Sequence, residues 1–295
     1  MQSFDYKKVY SLQDALEAAS ASKGDSVFMA GGTDLLVQIK EGKKRPECVI
    51  DIKGVHEMDG LAVSGDEFSI GALTSIRTLE TSPSALEKVP LLAQAAAKLG
   101  SVQVRYRATV GGNLCNASPS ADTAPALLAL DAQAAIWGKT GTRVVDLGDF
   151  FMGPGATVLG DGEMLTRLKI PLPRKRQGSV YYKLSTRNAM DLAFVGVAVL
   201  LELDGDNQIS KARIALGAVA PTPIRAASAE KFLEGRVLNV DTARESSELA
   251  AQSCNPISDL RASAEYRREM VRELCQQGLI TAYRRAIGLT EGKNE

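Results

Sequence analysis

The sequence predicts a two-domain α+β protein, with mixed strands and helices first and a sheet followed by helices second. Three observations carry this. Up to about residue 170, short apolar runs alternate with glycine and turn signals. Pro171-Leu172-Pro173-Arg174-Lys175-Arg176-Gln177-Gly178 then breaks the pattern with two prolines and a basic run. Beyond it come three strand-like stretches and then only helical periodicity. The expected division is residues 1–175 and 176–290. The chain has 295 residues, of which 45% are hydrophobic. That length is enough for two cores of ordinary size.

The elements follow in order. Val27-Phe28-Met29-Ala30 reads as a buried strand stopped by Gly31-Gly32, and residues 35–40 have helical potential. Residues 48–52 and 68–72 read as strands, the second running into Thr74-Ser75, an N-cap signal for a helix. Residues 90–99 carry apolar residues at helical spacing and stop at Gly100. Residues 134–137, 143–145 and 164–170 are further strands. After the linker, residues 180–184, 194–203 and 209–219 are expected to form a three-stranded antiparallel sheet. Asp204-Gly205-Asp206-Asn207 turns between the last two. Residues 226–233, 240–253 and 262–287 read as helices.

Composition narrows the chemistry. Lysine plus arginine equals aspartate plus glutamate, so nothing in the charge balance points to nucleic acid or an anionic membrane. Cys48, Cys115, Cys254 and Cys275 form no C-x-x-C pair and no metal-ligand spacing, so no metal site is expected. Scattered thiols suit a reducing cytoplasm. Met1-Gln2-Ser3-Phe4-Asp5 lacks the basic and apolar regions of a signal peptide, and no apolar run is long enough for a membrane span. The single histidine, His56, sits in a polar turn-like stretch, which excludes a multi-histidine centre.

Two motifs share a physical logic. Ala30-Gly31-Gly32-Thr33-Asp34 follows a strand and precedes a helix, and Thr109-Val110-Gly111-Gly112-Asn113 repeats the pattern of hydroxyl, two glycines and short polar residue. Paired glycines let backbone N–H groups approach a phosphate with no Cβ in the way. Two such turns in one domain could grip a diphosphate from both sides. Either alone is also what an ordinary tight turn looks like. Neither matches the Rossmann G-x-G-x-x-G pattern or the P-loop.

The second motif continues through Leu114-Cys115-Asn116-Ala117-Ser118-Pro119-Ser120-Ala121-Asp122. With Ala30-Gly31-Gly32-Thr33-Asp34-Leu35 it resembles the FAD-binding subunit of the xanthine dehydrogenase family of molybdenum hydroxylases, similar to the medium chain of carbon monoxide dehydrogenases. The resemblance continues through Tyr182-Lys183-Leu184-Ser185, Ala189-Met190-Asp191-Leu192-Ala193, residues 217–225 and residues 258–267. It implies a two-lobed FAD-binding fold of the vanillyl-alcohol-oxidase (PCMH) type and a C-terminal flavoprotein domain.

It also implies a set of cofactor contacts. Phe28, Met29, Ala30, Gly31, Gly32, Thr33 and Asp34 would form the first phosphate turn, and Thr109, Gly111, Gly112 and Asn113 the second. Asn116 and Asp122 would serve the ribityl and adenosine side. Gly100 matches another contact position and Leu165 would pack on the cofactor. Lys183 would place a charge near the flavin ring, and Asp191 a loop near its exposed face. Without the resemblance, Lys183 reads as a solvent-facing strand residue and Asp122 as a helix cap.

The implied cofactor is non-covalent FAD. Molybdopterin and 2Fe-2S clusters would reside on a large and a small partner subunit, and NAD+ or another acceptor would take the electrons. Purine hydroxylation is the first expectation for the complex, with nicotinate, aldehyde and carbon monoxide as alternatives. The other classes are a free-standing flavin oxidoreductase and a scaffold that has lost its cofactor.

Overall fold

The computed structural model describes residues 3–22, 25–172 and 176–289. The chain begins with β1 (Asp5–Lys8), α1 (Leu12–Ala21), β2 (Ser26–Met29), α2 (Leu35–Lys40) and β3 (Cys48–Asp51). These form a first lobe around a parallel sheet of order β1-β3-β2. Ser11 starts α1 by accepting a hydrogen bond from the Asp14 backbone at 3.0 Å. β3 is central and wholly buried, whereas β2, expected to be buried, is half exposed along its length.

The second lobe contains β4 (Leu61–Ser64), β5 (Glu67–Gly71), α3 (Ile76–Thr81), α4 (Pro83–Lys88), α5 (Pro90–Ala97), α6 (Val102–Arg107), α7 (Val110–Cys115) and α8 (Thr123–Ala129). It is completed by β6 (Gln133–Gly138), β7 (Gly141–Asp146), the short hairpin β8 (Phe151–Gly153) and β9 (Ala156–Thr157), and β10 (Met164–Pro171). Its sheet is antiparallel, of order β4-β5-β10-β6-β7. Ser75 and Ser101 cap α3 and α6, while Pro83 and Pro90 start α4 and α5, where a missing N–H costs nothing. The expected linker is shorter than its prolines suggest. β10 runs through Pro171, the next strand begins at Gln177, and residues 173–175 lie outside the described residues.

The C-terminal part holds β11 (Gln177–Leu184), β12 (Val195–Leu203), β13 (Ile209–Gly217) and β14 (Ile224–Arg225), then α9 (Ala227–Leu233), α10 (Val240–Gln252) and α11 (Ala264–Ala286). The three expected long strands are present. A two-residue strand, β14, adds a fourth at the β13 edge. The sheet is buried on both faces, and its alternation shows how. Val195, Val197, Val199, Leu201 and Leu203 of β12 join the core under α9, α10 and α11. Ala198 and Leu200 point the other way, into the core of the second lobe, together with Tyr181 and Ala215. Close approach needs glycine here: a Cβ on Gly178 would lie 1.9 Å from the Ala282 carbonyl oxygen of α11. On the opposite face a Cβ on Gly217 would lie 2.7 Å from Pro125 of α8.

An ionic cluster closes the same seam. Asp131, just past α8, receives Lys211 Nζ at 2.8 Å, Arg213 Nε at 2.9 Å and Arg225 at 2.9 Å. Arg225 also donates to the carbonyl of Leu128 and to Glu230. Burial pushes the Asp131 carboxyl up, but hydrogen bonds from Lys211 and Arg213 hold it below its ordinary value. The C-terminal sheet is thereby fixed to α8, and Lys183 on β11 is carried to the edge of the N-terminal lobes.

Candidate functional site

A cavity of about 530 Å³ lies along residues 27–35, Gly100, residues 108–122, Leu165 and residues 190–192. Its volume falls in the range of cofactor clefts. Its first wall is the chain that leaves β2. Gly32 takes φ +75°, and a Cβ on Gly31 would lie 1.9 Å from the carbonyl oxygen of Arg107, so the loop presses its backbone onto the end of α6. The backbone N–H groups of residues 31–35 find no acceptor among the described residues. Five neighbouring unsatisfied donors on the wall of a cavity form an anion cradle, and a phosphate oxygen is the group that satisfies them. The half exposure of Phe28, Met29 and Ala30 has the same origin: their free side is the cavity wall.

The second motif is built differently. The sequence reads Thr109 to Asn113 as a turn offering N–H groups, but these residues open α7. Thr109 caps it, its Oγ1 accepting from the Gly112 N–H at 3.1 Å. Val110 N donates to the Thr74 carbonyl at 3.0 Å, Gly111 N to that of Ala72 at 2.8 Å, and Asn113 N to that of Thr109 at 3.0 Å. A Cβ on Gly111 would lie 2.7 Å from Ala72, so this glycine serves packing against the end of β5. The expectation that both glycine pairs present backbone donors is corrected, because the second pair has its donors engaged within the protein.

What the second motif turns to the cavity is side chains. The Asn113 Oδ1 accepts from Thr123 Oγ1 at 2.6 Å, which fixes the amide and leaves Nδ2 as a donor. The Asn116 Oδ1 accepts from Gln38 Nε2 at 3.0 Å, tying α7 to α2. Gln38 also lines the cavity and was missed by sequence reasoning. The signal was its place four residues after Asp34, on the same helix face. Cys115 lines the cavity as well; burial pushes its thiol up to about 12, so it stays protonated. His56 is exposed in a single 3₁₀ turn and does not itself line the cavity, although Met58 of the same turn does.

Asp122 behaves unlike a helix cap. Its backbone is already helical and its side chain makes no capping bond. The carboxylate instead receives Lys183 Nζ at 2.8 Å and the Tyr181 hydroxyl at 3.0 Å. Burial pushes its pKa up, while the charge and hydrogen bond of Lys183 and the hydroxyl of Tyr181 pull it down; burial prevails. Lys183 is correspondingly buried rather than solvent-facing, and it also donates to the Lys98 carbonyl at 3.0 Å. Of the expected contact residues, Lys183 alone is absent from the lining. Its ammonium is paired with the Asp122 carboxylate, which does line the cavity.

The remaining expected residues close the far end. Leu165 sits at an irregularity in the pairing of β10 with β6, which re-aims its side chain. Gly100 takes φ +52°, and its carbonyl accepts from the Met190 N–H at 3.2 Å. That bond brings Met190, Asp191 and Leu192 to the cavity edge. The Asp191 carboxylate accepts from the Arg187 N–H at 2.8 Å, which holds its pKa below the ordinary value and pins the loop.

The site therefore offers an anion cradle, a fixed amide, a buried carboxylate acceptor and apolar walls, a donor set that fits a dinucleotide with a polar linker. Among the described residues no group of three or more histidine, cysteine, aspartate or glutamate could hold a metal ion, and no helix is long and apolar enough to cross a membrane. Residues 2–173 match the family described as the FAD binding domain in molybdopterin dehydrogenase, and residues 180–282 the CO dehydrogenase flavoprotein C-terminal domain. A putative xanthine dehydrogenase FAD-binding subunit of Escherichia coli (strain K12) is 34% identical over 96% of this chain and 97% of its own. The glyceraldehyde dehydrogenase medium chain of Sulfolobus acidocaldarius is 34% identical over 92% and 95%. A carbon monoxide dehydrogenase structure from Hydrogenophaga pseudoflava superposes with a TM-score of 0.93 at 32% identity, over 96% of this chain and 98% of that one. The chain belongs to the FAD-binding medium subunits of the xanthine dehydrogenase and carbon monoxide dehydrogenase family of molybdenum hydroxylases.

Proposed function

We propose that this chain is the electron-transfer subunit of a cytoplasmic, purine-hydroxylating molybdenum enzyme, working between a 2Fe-2S small subunit and NAD+ or another acceptor. A molybdopterin-binding large subunit would carry the substrate site. The domain boundary is placed near residue 175. Bound FAD supplies the exchange between one-electron donors and a two-electron or one-electron acceptor, and no side chain here has to act as a general acid or base.

The chain's own residues bind and orient. The N–H groups of residues 31–35 take the diphosphate, with Thr33 adding a hydroxyl. Asn113 Nδ2 donates across the cavity, and Thr109 keeps its hydroxyl proton as a further donor. The Asp122 carboxyl, which receives Lys183 and the Tyr181 hydroxyl, accepts a hydroxyl or ring N–H of the cofactor. Leu165 and Phe28 provide apolar contact, and residues 190–192 cover the open end. A protonated Cys115 and a His56 that is outside the cavity lining agree with non-covalent attachment.

The observation that carries the reading is the row of unsatisfied backbone donors at residues 31–35 on a cavity wall. Purine as the substrate is supported by 34% identity across 96% of the chain to a putative xanthine dehydrogenase subunit, and the glyceraldehyde dehydrogenase medium chain, at 34% over 92%, makes an aldehyde the second candidate. Four free cysteines support a reducing compartment. The test is purification of the chain with its natural partners, followed by a flavin spectrum and assays with xanthine, hypoxanthine, glyceraldehyde, nicotinate and carbon monoxide, each with NAD+ and with an artificial dye. Xanthine-dependent reduction of NAD+ is expected. Turnover of another substrate would replace the purine assignment, and a colourless preparation that takes up no FAD would remove the cofactor reading.

A further inference from the structure

Besides the protonated Cys115 thiol, the cavity wall carries five acidic or basic side chains: Asp34, Lys44, Asp122, Glu163 and Asp191. Two of the four carboxylates are neutralised by cations behind the wall. Asp122 is paired with Lys183 at 2.8 Å, and Glu163 with Arg143 at 2.7 Å. Asp191 is engaged by backbone N–H groups, its arginine neighbour lying 4.0 Å away. Asp34, beside the cradle, meets only the Thr33 hydroxyl at 3.3 Å and no cation among the described residues. A dianionic diphosphate placed at residues 31–35 would therefore sit beside an uncompensated carboxylate. One lining residue can offset both, and it is Lys44.

The fold brings Lys44 there by a local device. After α2 the chain reverses at Gly42, which takes φ +72°. The N–H groups of Lys43 and Lys44 then both donate to the Gln38 carbonyl, at 2.9 and 3.2 Å. Gln38 is itself a lining residue bonded to Asn116, so the Lys44 backbone is fixed to the cavity wall. The neighbouring Lys43 is paired with Glu41 at 2.7 Å, whereas Lys44 has no carboxylate partner among the described residues. Lys44 also lines a second hollow of about 340 Å³ with Lys40 and Arg45, so it stands where the two spaces meet.

We infer that Lys44 is a positioning residue for the cofactor, supplying the positive charge that balances the FAD diphosphate against Asp34. The inference rests on the assignment of residues 31–35 to that diphosphate. Lys44 acts from the mouth of the cavity through charge and not through a fixed contact, so its contribution depends on charge and is screened by salt. Arginine can replace it, glutamine cannot, and glutamate inverts it.

The test is titration of the deflavinated full-length chain with FAD, followed by flavin fluorescence at about 50 and about 300 mM KCl, across which screening lengths fall by roughly half. Wild type and the K44R, K44Q and K44E variants are compared, with K40Q and R45Q as controls from the outer hollow and far-ultraviolet circular dichroism as the folding check. At low salt K44R is expected to bind like wild type, K44Q about three- to tenfold more weakly, and K44E more weakly still, differences expected of a partly screened charge. High salt should shrink these differences, and K40Q and R45Q should stay near wild type. Equal affinities across the charge series, or losses that salt does not change, overturn the role of Lys44. A folded wild-type chain that takes up no FAD overturns the cofactor reading itself, and this inference with it.

Discussion

The two glycine pairs look alike in sequence and do opposite things in the structure. At residues 31–35 the backbone has no internal use for its donors, so the loop is a cradle waiting for an anion. At residues 109–113 the same composition is folded into a helix start whose donors are satisfied by Thr74, Ala72 and Thr109. The first pair supplies backbone groups to the cavity. The second supplies rigidity, and leaves recognition to Asn113, Asn116 and Asp122. A glycine pair identifies close backbone approach; whether the approach is to a ligand or to another strand depends on where the neighbouring carbonyls lie.

The largest expected effect tests this division directly. A Cβ at residue 31 collides with a backbone carbonyl oxygen at 1.9 Å, so Gly31→Ala must displace the cradle. FAD affinity should fall by about a hundredfold or more, since several charge-assisted hydrogen bonds to the diphosphate are lost together. Gly111→Ala meets Ala72 at 2.7 Å. It should cost about 1–3 kcal/mol of stability through overpacking, yet leave FAD affinity within about fivefold in the folded fraction. Thermal unfolding and flavin titration of both variants decide the matter. Equal losses of affinity would end the distinction between a cradle and a brace.

Next in size is Lys183→Met. It leaves the Asp122 carboxylate buried with only Tyr181 as partner, a change that costs about 3–5 kcal/mol where one member of a buried pair is removed. The pH dependence has a defined sign. Burial raises the folded-state pKa of Asp122 above its unfolded value, so its protonated form is the better tolerated one, and stability is lost as pH rises through the folded pKa. Removing Lys183 takes away a group that lowers this pKa and shifts the loss upward. The deficit of the variant against wild type should thus be larger at about pH 8 than at about pH 5, as read by urea unfolding. A deficit independent of pH would show that lost packing, not the carboxylate, is responsible.

A smaller effect is expected from Thr123→Val. Its hydroxyl bond at 2.6 Å orients the Asn113 amide, and its loss should cost about 1 kcal/mol of stability and up to tenfold in FAD affinity. Affinity unchanged while stability falls would demote Asn113 to a structural residue.

The same contrast explains what could be read in the sequence. Elements were legible where a cap, a stop or a turn marks them locally: Ser75 does cap α3, Gly100 does follow α5 with a positive φ, and Asp204-Gly205-Asp206-Asn207 does join β12 to β13. The nature of the second motif was not legible. α7 has six residues, too few to show a period, and the acceptors that engage its N–H groups lie some 36 to 39 residues earlier in the chain, at Thr74 and Ala72. Lys183 and Asp122 were both found, but their pairing spans 61 residues and comes only from docking the C-terminal sheet against α5 and α8. β14, two residues long, carries no alternation at all. Local chemistry was written locally, and whatever depended on which strand arrives opposite was not.

The smallest expected effect concerns Cys115, the residue in the second motif whose chemistry looks most reactive. A thiol on a cavity wall beside a redox cofactor invites a covalent or redox role. The structure argues otherwise. Its environment contains no cation to stabilise a thiolate, and burial pushes its pKa up to about 12, so the nucleophilic form is almost absent at neutral pH. Cys48, Cys254 and Cys275 are buried, and burial pushes Cys254 and Cys275 up to about 12 too. Iodoacetamide at about pH 8 should therefore label the native protein slowly and all four cysteines quickly once it is unfolded, and loading with FAD should change the native rate little. Mass spectrometry of the alkylated peptide around Cys115 gives the answer. Fast labelling of Cys115 that FAD blocks would mean that the second motif presents a reactive group to the cofactor after all, and that its function is chemical as well as structural.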